Sequence, residues 1–139
     1  MIKRFHVHIA VDSLQDGIRF YSALFGVETS VSKLDYAKWM HDPYINFAVS
    51  ARGAKPGLDH VGIQIDFDDT LTEVSQRLMQ AGLPTIEQQN IQSCYASSNK
   101  YWTVEPQSTA WEAFHSLTAI PVFGQDIAIP TRTETCCAA

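Results

Sequence analysis

FHVHIAV at positions 5–11 and LDHVGIQI at positions 58–65 decide the fold, because both alternate and both carry a histidine at the same point of the alternation. In the first, Val7, Ile9 and Val11 share one face, and His6, His8 and Ala10 share the other. In the second, Val61, Ile63 and Ile65 lie opposite His60, Gly62 and Gln64. A period of two over this length predicts a strand with one face on a core. His6-x-x-Ile9-x-Val11 and His60-x-x-Ile63-x-Ile65 superpose with an offset of 54 positions, so the chain reads as a duplication.

The surroundings repeat as well. After the first strand, Ser13-x-x-Asp16 reads as a capping box, and Leu14, Ile18, Tyr21 and Phe25 follow helical spacing until Gly26. Three β-prone stretches come next, at 27–33, 36–41 and 44–51. RGAKPG at 52–57 is the turn-rich connector. After the second strand, Thr70-x-x-Glu73 predicts another cap, Leu71, Val74, Leu78 and Ala81 keep helical spacing, and Gly82-x-Pro84 ends the helix. Stretches at 85–89, 91–104 and 109–116 close this half. The expected fold class is α+β: two tandem βαβββ modules forming a cupped mixed sheet around a metal-binding cleft. Residues 1–116 make one domain, with module one at about 4–52 and module two at about 57–116, and 117–139 form an irregular tail ending in cysteine.

Composition limits the partners. The chain has 139 residues, 45% of them hydrophobic and 18% charged, the profile of a globular domain. Its net charge is −5 with no block of Lys or Arg, so neither nucleic acid nor a membrane surface is expected as a partner. No apolar run approaches the roughly 20 residues of a membrane span. The start, MIKRFHVHIAV, lacks the apolar core of a signal peptide, which predicts a cytoplasmic protein. The partner expected is a small molecule. Since one chain holds both modules, either a monomer or a homodimer could close the cleft.

His6 and His60 stand at equivalent places on the faces away from the helices, where they would look into the cleft. Taken singly, each also reads as an ordinary polar residue on a solvated sheet face. Glu112, in TAWEAF, is the third candidate. Its neighbours by parity are Ala110 and Phe114, so burying its charge requires a cation beside it. A metal would serve, although a solvated carboxylate on an edge strand fits Glu112 equally well by itself. Two imidazoles and a carboxylate make a facial triad that leaves coordination positions open. A fourth ligand from the first module would fall near Asn46, Phe47 or Ala48, which are weak or impossible ligands, so three protein ligands are expected. His8, one step along from His6, is expected to contact the ligands or the substrate, and His115 has the outward parity of Trp111.

YSALFG, DYAKWM, NFAVSARG, PGLDHVGIQ and CYASSNKYWTVEPQSTAWEAF, in that order, resemble the vicinal-oxygen-chelate superfamily of glyoxalases, bleomycin-resistance proteins and extradiol dioxygenases. Within it they resemble the branch of cadmium-induced proteins and organoarsenical C–As lyases, over about residues 4–115. The resemblance implies an Fe(II) held by His6, His60 and Glu112, with O₂ as co-substrate, that cleaves the carbon–arsenic bond of trivalent organoarsenicals. Imidazole and carboxylate also suit Zn, Ni or Mn. The branch holds arsenic between two adjacent cysteines followed by Tyr-Ala. Here Cys94 matches the second of them and Ser93 replaces the first, and a hydroxyl is a far poorer ligand for a soft metalloid.

The three cysteines are Cys94, Cys136 and Cys137. Cys94 could hold substrate alone, with the tail supplying a second thiolate. Cys136 and Cys137 could instead bind soft ions independently, or Cys94 could be a small cleft residue and the tail pair idle. The function expected is therefore an Fe(II)-dependent lyase of the dioxygenase type. Its rival is a non-catalytic protein that sequesters cadmium or arsenic and confers resistance.

Overall fold

A computed structural model describes residues 2–124; Cys136, Cys137 and the rest of the expected tail lie outside the described residues. These residues fall into two compact units, one spanning Ile2–Gln64 and the other beginning at Ile65. No helix among them is long and apolar enough to cross a membrane.

In the first unit the chain runs β1 (Ile2–Ala10), α1 (Leu14–Phe25), β2 (Val31–Ser32), β3 (Tyr36–Trp39), β4 (Ile45–Ser50) and β5 (Gly57–Ile65, whose last residue opens the second unit). The strands lie in the order β2-β3-β4-β1-β5. β1 and β4 are parallel, with His6 opposite Asn46 and His8 opposite Ala48, whereas β3 is antiparallel to both β2 and β4. The helix between β1 and the later strands supplies the crossover that a parallel pair needs.

Ser13 caps α1 at the position the sequence predicts, its Oγ accepting from the Asp16 amide at 3.2 Å, and Gly26 ends α1 at φ 73°. Ile18 and Tyr21 of α1, with Leu14, pack on Ile9, Val11 and Phe47 over buried Ala37, Trp39 and Val49. That contact sends the aliphatic face of β1 to the helix. The opposite face, carrying His6 and His8, is nevertheless buried.

The second unit contains α2 (Asp68–Gln80), β6 (Ile86–Ser93), β7 (Ala96–Val104) and β8 (Ala110–Ala119). β6-β7-β8 is an antiparallel meander, and α2 buries Leu71 and Val74. The predicted cap at Thr70 does not form. The helix begins three residues earlier, after Phe67, with no side-chain cap, and Thr70 sits inside its first turn. Asp68 and Asp69 place negative charge at that end instead, which favours the helix dipole. The break expected after residue 89 is also absent. Asn90, at φ 49°, marks a register shift between Gln88 and Ile91 that lets β6 continue to Ser93. Residues 117–119, expected in the tail, extend β8, and Phe123 beyond them is buried against the ring of Tyr95 at 5.6 Å.

Candidate metal centre

Pairing β1 beside β5 brings together the two histidines that the duplication singles out. Nε2 of His6 and Nε2 of His60 face each other at 3.2 Å, both side chains buried. The other nitrogen of each ring is committed. Nδ1 of His6 lies 3.0 Å from the Asn46 carbonyl, which can only accept, so this nitrogen carries the proton. Nδ1 of His60 lies 2.7 Å from a carboxylate oxygen of Asp59, and donates in the same way.

A neutral imidazole protonated at Nδ1 has only a lone pair at Nε2. With both rings neutral, two such lone pairs face each other at 3.2 Å, an arrangement that a cation between them, a metal ion or a proton, stabilises. The spacing suits a metal ion. With metal–nitrogen bonds of about 2.1 Å, two imidazoles stand about 3.0 Å apart at a right angle and about 3.4 Å apart at the tetrahedral angle. A carbonyl and a carboxylate behind the rings are the usual supports of metal-bound histidine, because they fix the tautomer and the ring orientation. The donor set therefore fits a divalent metal.

His8 joins this group. The candidate ligand atoms of His6, His8 and His60 lie within 4.8 Å of one another. The His8 ring stands 4.7 Å from that of His60, and its Nε2 lies 2.8 Å from Ser50 Oγ. The spacing predicts His8 as a neighbour of the site, and the structure makes it a third imidazole of the cluster.

Glu112 lies in β8 of the second unit and is 5% exposed. Its buried charge has a cation beside it, and the protein itself supplies that cation. Lys100 Nζ, 4% exposed, donates to Glu112 Oε2 at 2.8 Å and stands 5.6 Å over the Trp102 ring.

Ser93 and Cys94 occupy the β6–β7 turn. Ser93 pairs with Ala96, so Cys94 and Tyr95 are the two residues of the hairpin loop. Both are left-handed, at φ 52° and 60°, the conformation such a loop needs and one that side chains disfavour. The Ser93 hydroxyl donates to Cys94 Sγ at 3.7 Å. The turn is held from one side by the chain after β8: the Ile120 amide donates to the Tyr95 carbonyl at 2.9 Å. A Cβ on Gly124 would lie 2.1 Å from the Gln92 carbonyl oxygen, so only glycine fits there. His115 sends Nδ1 to the Ile65 carbonyl at 3.0 Å, a role within its own unit.

Sequence reasoning missed Asp59, Lys100 and Ser50. Asp59 carried a signal, since a carboxylate directly before a candidate ligand can reach back to its ring. Removing it gives the first prediction: Asp59→Ala lowers divalent-metal affinity about 10- to 100-fold, read by chelator competition, while the metal-free fold is kept.

No protein-family model matches the chain. It is 33% identical over 140 residues to the trivalent organoarsenical cleaving enzyme of Bacillus sp. (strain MD1), covering 98% of this chain and 83% of the relative. It is 30% identical over 125 residues to the cadmium-induced protein CadI of Mycobacterium tuberculosis (strain H37Rv), covering 88% of this chain and 82% of the relative. Among solved structures, it is similar to homoprotocatechuate 2,3-dioxygenase from Brevibacterium fuscum, with a TM-score of 0.67, 11% identity and coverage of 88% of this chain and 34% of that one. The Mn(II)-bound glyoxalase from Novosphingobium aromaticivorans gives a TM-score of 0.65, 12% identity and coverage of 91% and 42%. At these identities the two structures speak for the fold alone.

Proposed function

This chain belongs to the family of trivalent organoarsenical cleaving enzymes and cadmium-induced proteins, with the fold of glyoxalases and extradiol dioxygenases, and from that premise we propose that it is a metal-dependent C–As lyase of the cytoplasm. The observation that carries this reading is the facing pair of Nε2 atoms on His6 and His60, each backed by an acceptor on its other nitrogen. The metal assigned is Fe(II), which when bound supplies the activation of O₂ that oxidative cleavage of a carbon–arsenic bond requires.

His6 and His60 hold the metal, and Glu112 provides the third ligand as the buried carboxylate of the second unit. Lys100 keeps that carboxylate charged and oriented through Oε2. Asp59 and the Asn46 carbonyl stop the two rings from turning. Cys94, at the tip of a strained turn, takes the trivalent arsenic as a thiolate. His8 contacts the bound ligands from beside His60. The assignment is tested by metal binding: Glu112→Ala abolishes stoichiometric Fe(II) uptake under anaerobic conditions and His8→Ala leaves it in place. The reverse pattern would move the third position to His8.

Ser93 is the weak point of the substrate site, because its hydroxyl stands where a second thiolate would chelate arsenic. Ser93→Cys is expected to tighten binding of a trivalent methylarsenical about tenfold or more, since two tethered thiolates bind together. Equal affinity in the two proteins would remove Cys94 from the substrate site.

The same serine favours a second reading, in which the protein sequesters soft ions. That reading predicts stoichiometric binding of Cd²⁺ or trivalent arsenic that survives His6→Ala and is lost with Cys136→Ser and Cys137→Ser. The lyase reading predicts release of inorganic arsenic that depends on His6.

A further inference from the structure

One buried polar atom beside the histidines is left over. Asn46 is 5% exposed, and its Oδ1 has no hydrogen-bond partner among the described residues. Its Nδ2 donates to Gln64 Oε1 at 3.2 Å, and in this orientation of the amide Oδ1 is the atom turned away from Gln64. Gln64 is itself buried. Native proteins seldom keep a buried acceptor without a donor, so such an atom marks the place of a ligand.

Its position says which ligand. Asn46 is the Cα partner of His6 in the parallel β1–β4 ladder, and residues in register across a ladder present their side chains to one face. Gln64 lies four residues from His60 on β5, with the same parity. The backbone carbonyl of Asn46 already supports the His6 ring. We propose that Asn46, held by Gln64, is a ligand-binding residue of the histidine site, whose Oδ1 accepts a hydrogen bond from an O–H group seated there. The inference rests on the metal reading above. Two ligands carry that chemistry, namely water and the hydroxyl of a trivalent arsenical in its hydrated form. A carbonyl or ether oxygen does not, so the residue selects for hydroxyl-bearing ligands.

The test uses the full chain loaded with Co(II), whose visible absorption reports the surroundings of the metal. Asn46→Leu removes the acceptor, while Gln64→Leu breaks the same amide–amide bond and leaves the acceptor in place. If water is the donor, Asn46→Leu alters the Co(II) absorption and raises the Co(II) Kd about 2- to 12-fold without any arsenical present. If the substrate hydroxyl is the donor, the Co(II) readings stay as in wild type and the Kd for a trivalent methylarsenical rises by that factor. In either case Gln64→Leu has the smaller effect. The proposal is overturned if Asn46→Leu moves neither reading, or if Gln64→Leu matches it in both, since the amide pair is then only structural. Wild-type protein that takes up no Co(II) would instead overturn the metal reading on which the proposal rests.

Discussion

Lys100→Met is expected to destabilise the protein by about 3–5 kcal/mol, more than any surface substitution should. Lys100 and Glu112 are 4% and 5% exposed and meet at 2.8 Å, so removing the lysine strips a buried carboxylate of its charged partner. Methionine keeps most of the side-chain volume, so the loss reports charge more than packing, apart from a smaller term for the ammonium over Trp102. Urea unfolding of the metal-free protein measures it. Lys100→Met with Glu112→Leu is expected to recover most of the deficit, because a buried pair replaced on both sides by apolar groups is often neutral. Divalent metal should raise the melting temperature of Lys100→Met by more than that of wild type, since the ion would supply Glu112 with a second cation. An equal rise in both proteins would take Glu112 out of the ligand set.

His60→Ala has the largest expected effect on function. It deletes one of the two facing Nε2 atoms and frees the carboxylate of Asp59 at once. His60 is one of the two nitrogens 3.2 Å apart, and the His6 and Glu112 that remain in the proposed ligand set hold Fe(II) far more weakly than three ligands do. Stoichiometric uptake of one Fe(II) in wild type is expected to fall below detection in His60→Ala at micromolar protein. The metal-free variant is expected to lose some stability through the cavity left by a buried ring and the loss of Asp59's partner, offset in part by relief of the contact between two lone pairs. Anaerobic metal titration with circular dichroism on the same samples separates loss of the site from loss of the fold.

The facing histidines could be read from the sequence because two local signals agree. Alternation in 5–11 and 58–65 assigns each histidine to the face away from the helix, and duplication makes the two positions equivalent. α1 was equally legible, since Ser13 and Gly26 each act on the backbone beside them. The start of α2 was not, because Thr70 and Glu73 imitate a capping box inside a helix already begun at Asp68. Long-range register is the harder limit. Lys100 reaches Glu112 as a diagonal neighbour across β7 and β8, where Lys100 is paired with Phe114 and Trp102 with Glu112. A slip of one residue would turn either side chain to the other face, and no local pattern sets that register. The unpaired oxygen of Asn46 is of the same kind. From sequence it is a poor ligand, and only its burial and its missing donor give it a role.

The central claim is that His6 and His60 hold the metal of a carbon–arsenic lyase. Its most direct test is to load the protein anaerobically with one equivalent of Fe(II), add a trivalent methylarsenical and O₂, and separate the arsenic species chromatographically. Inorganic arsenite should accumulate over many turnovers with wild type, and none should form with His6→Ala or His60→Ala. Methylarsenical recovered intact from Fe(II)-loaded wild type, or arsenite formed equally well by either histidine variant, would contradict it.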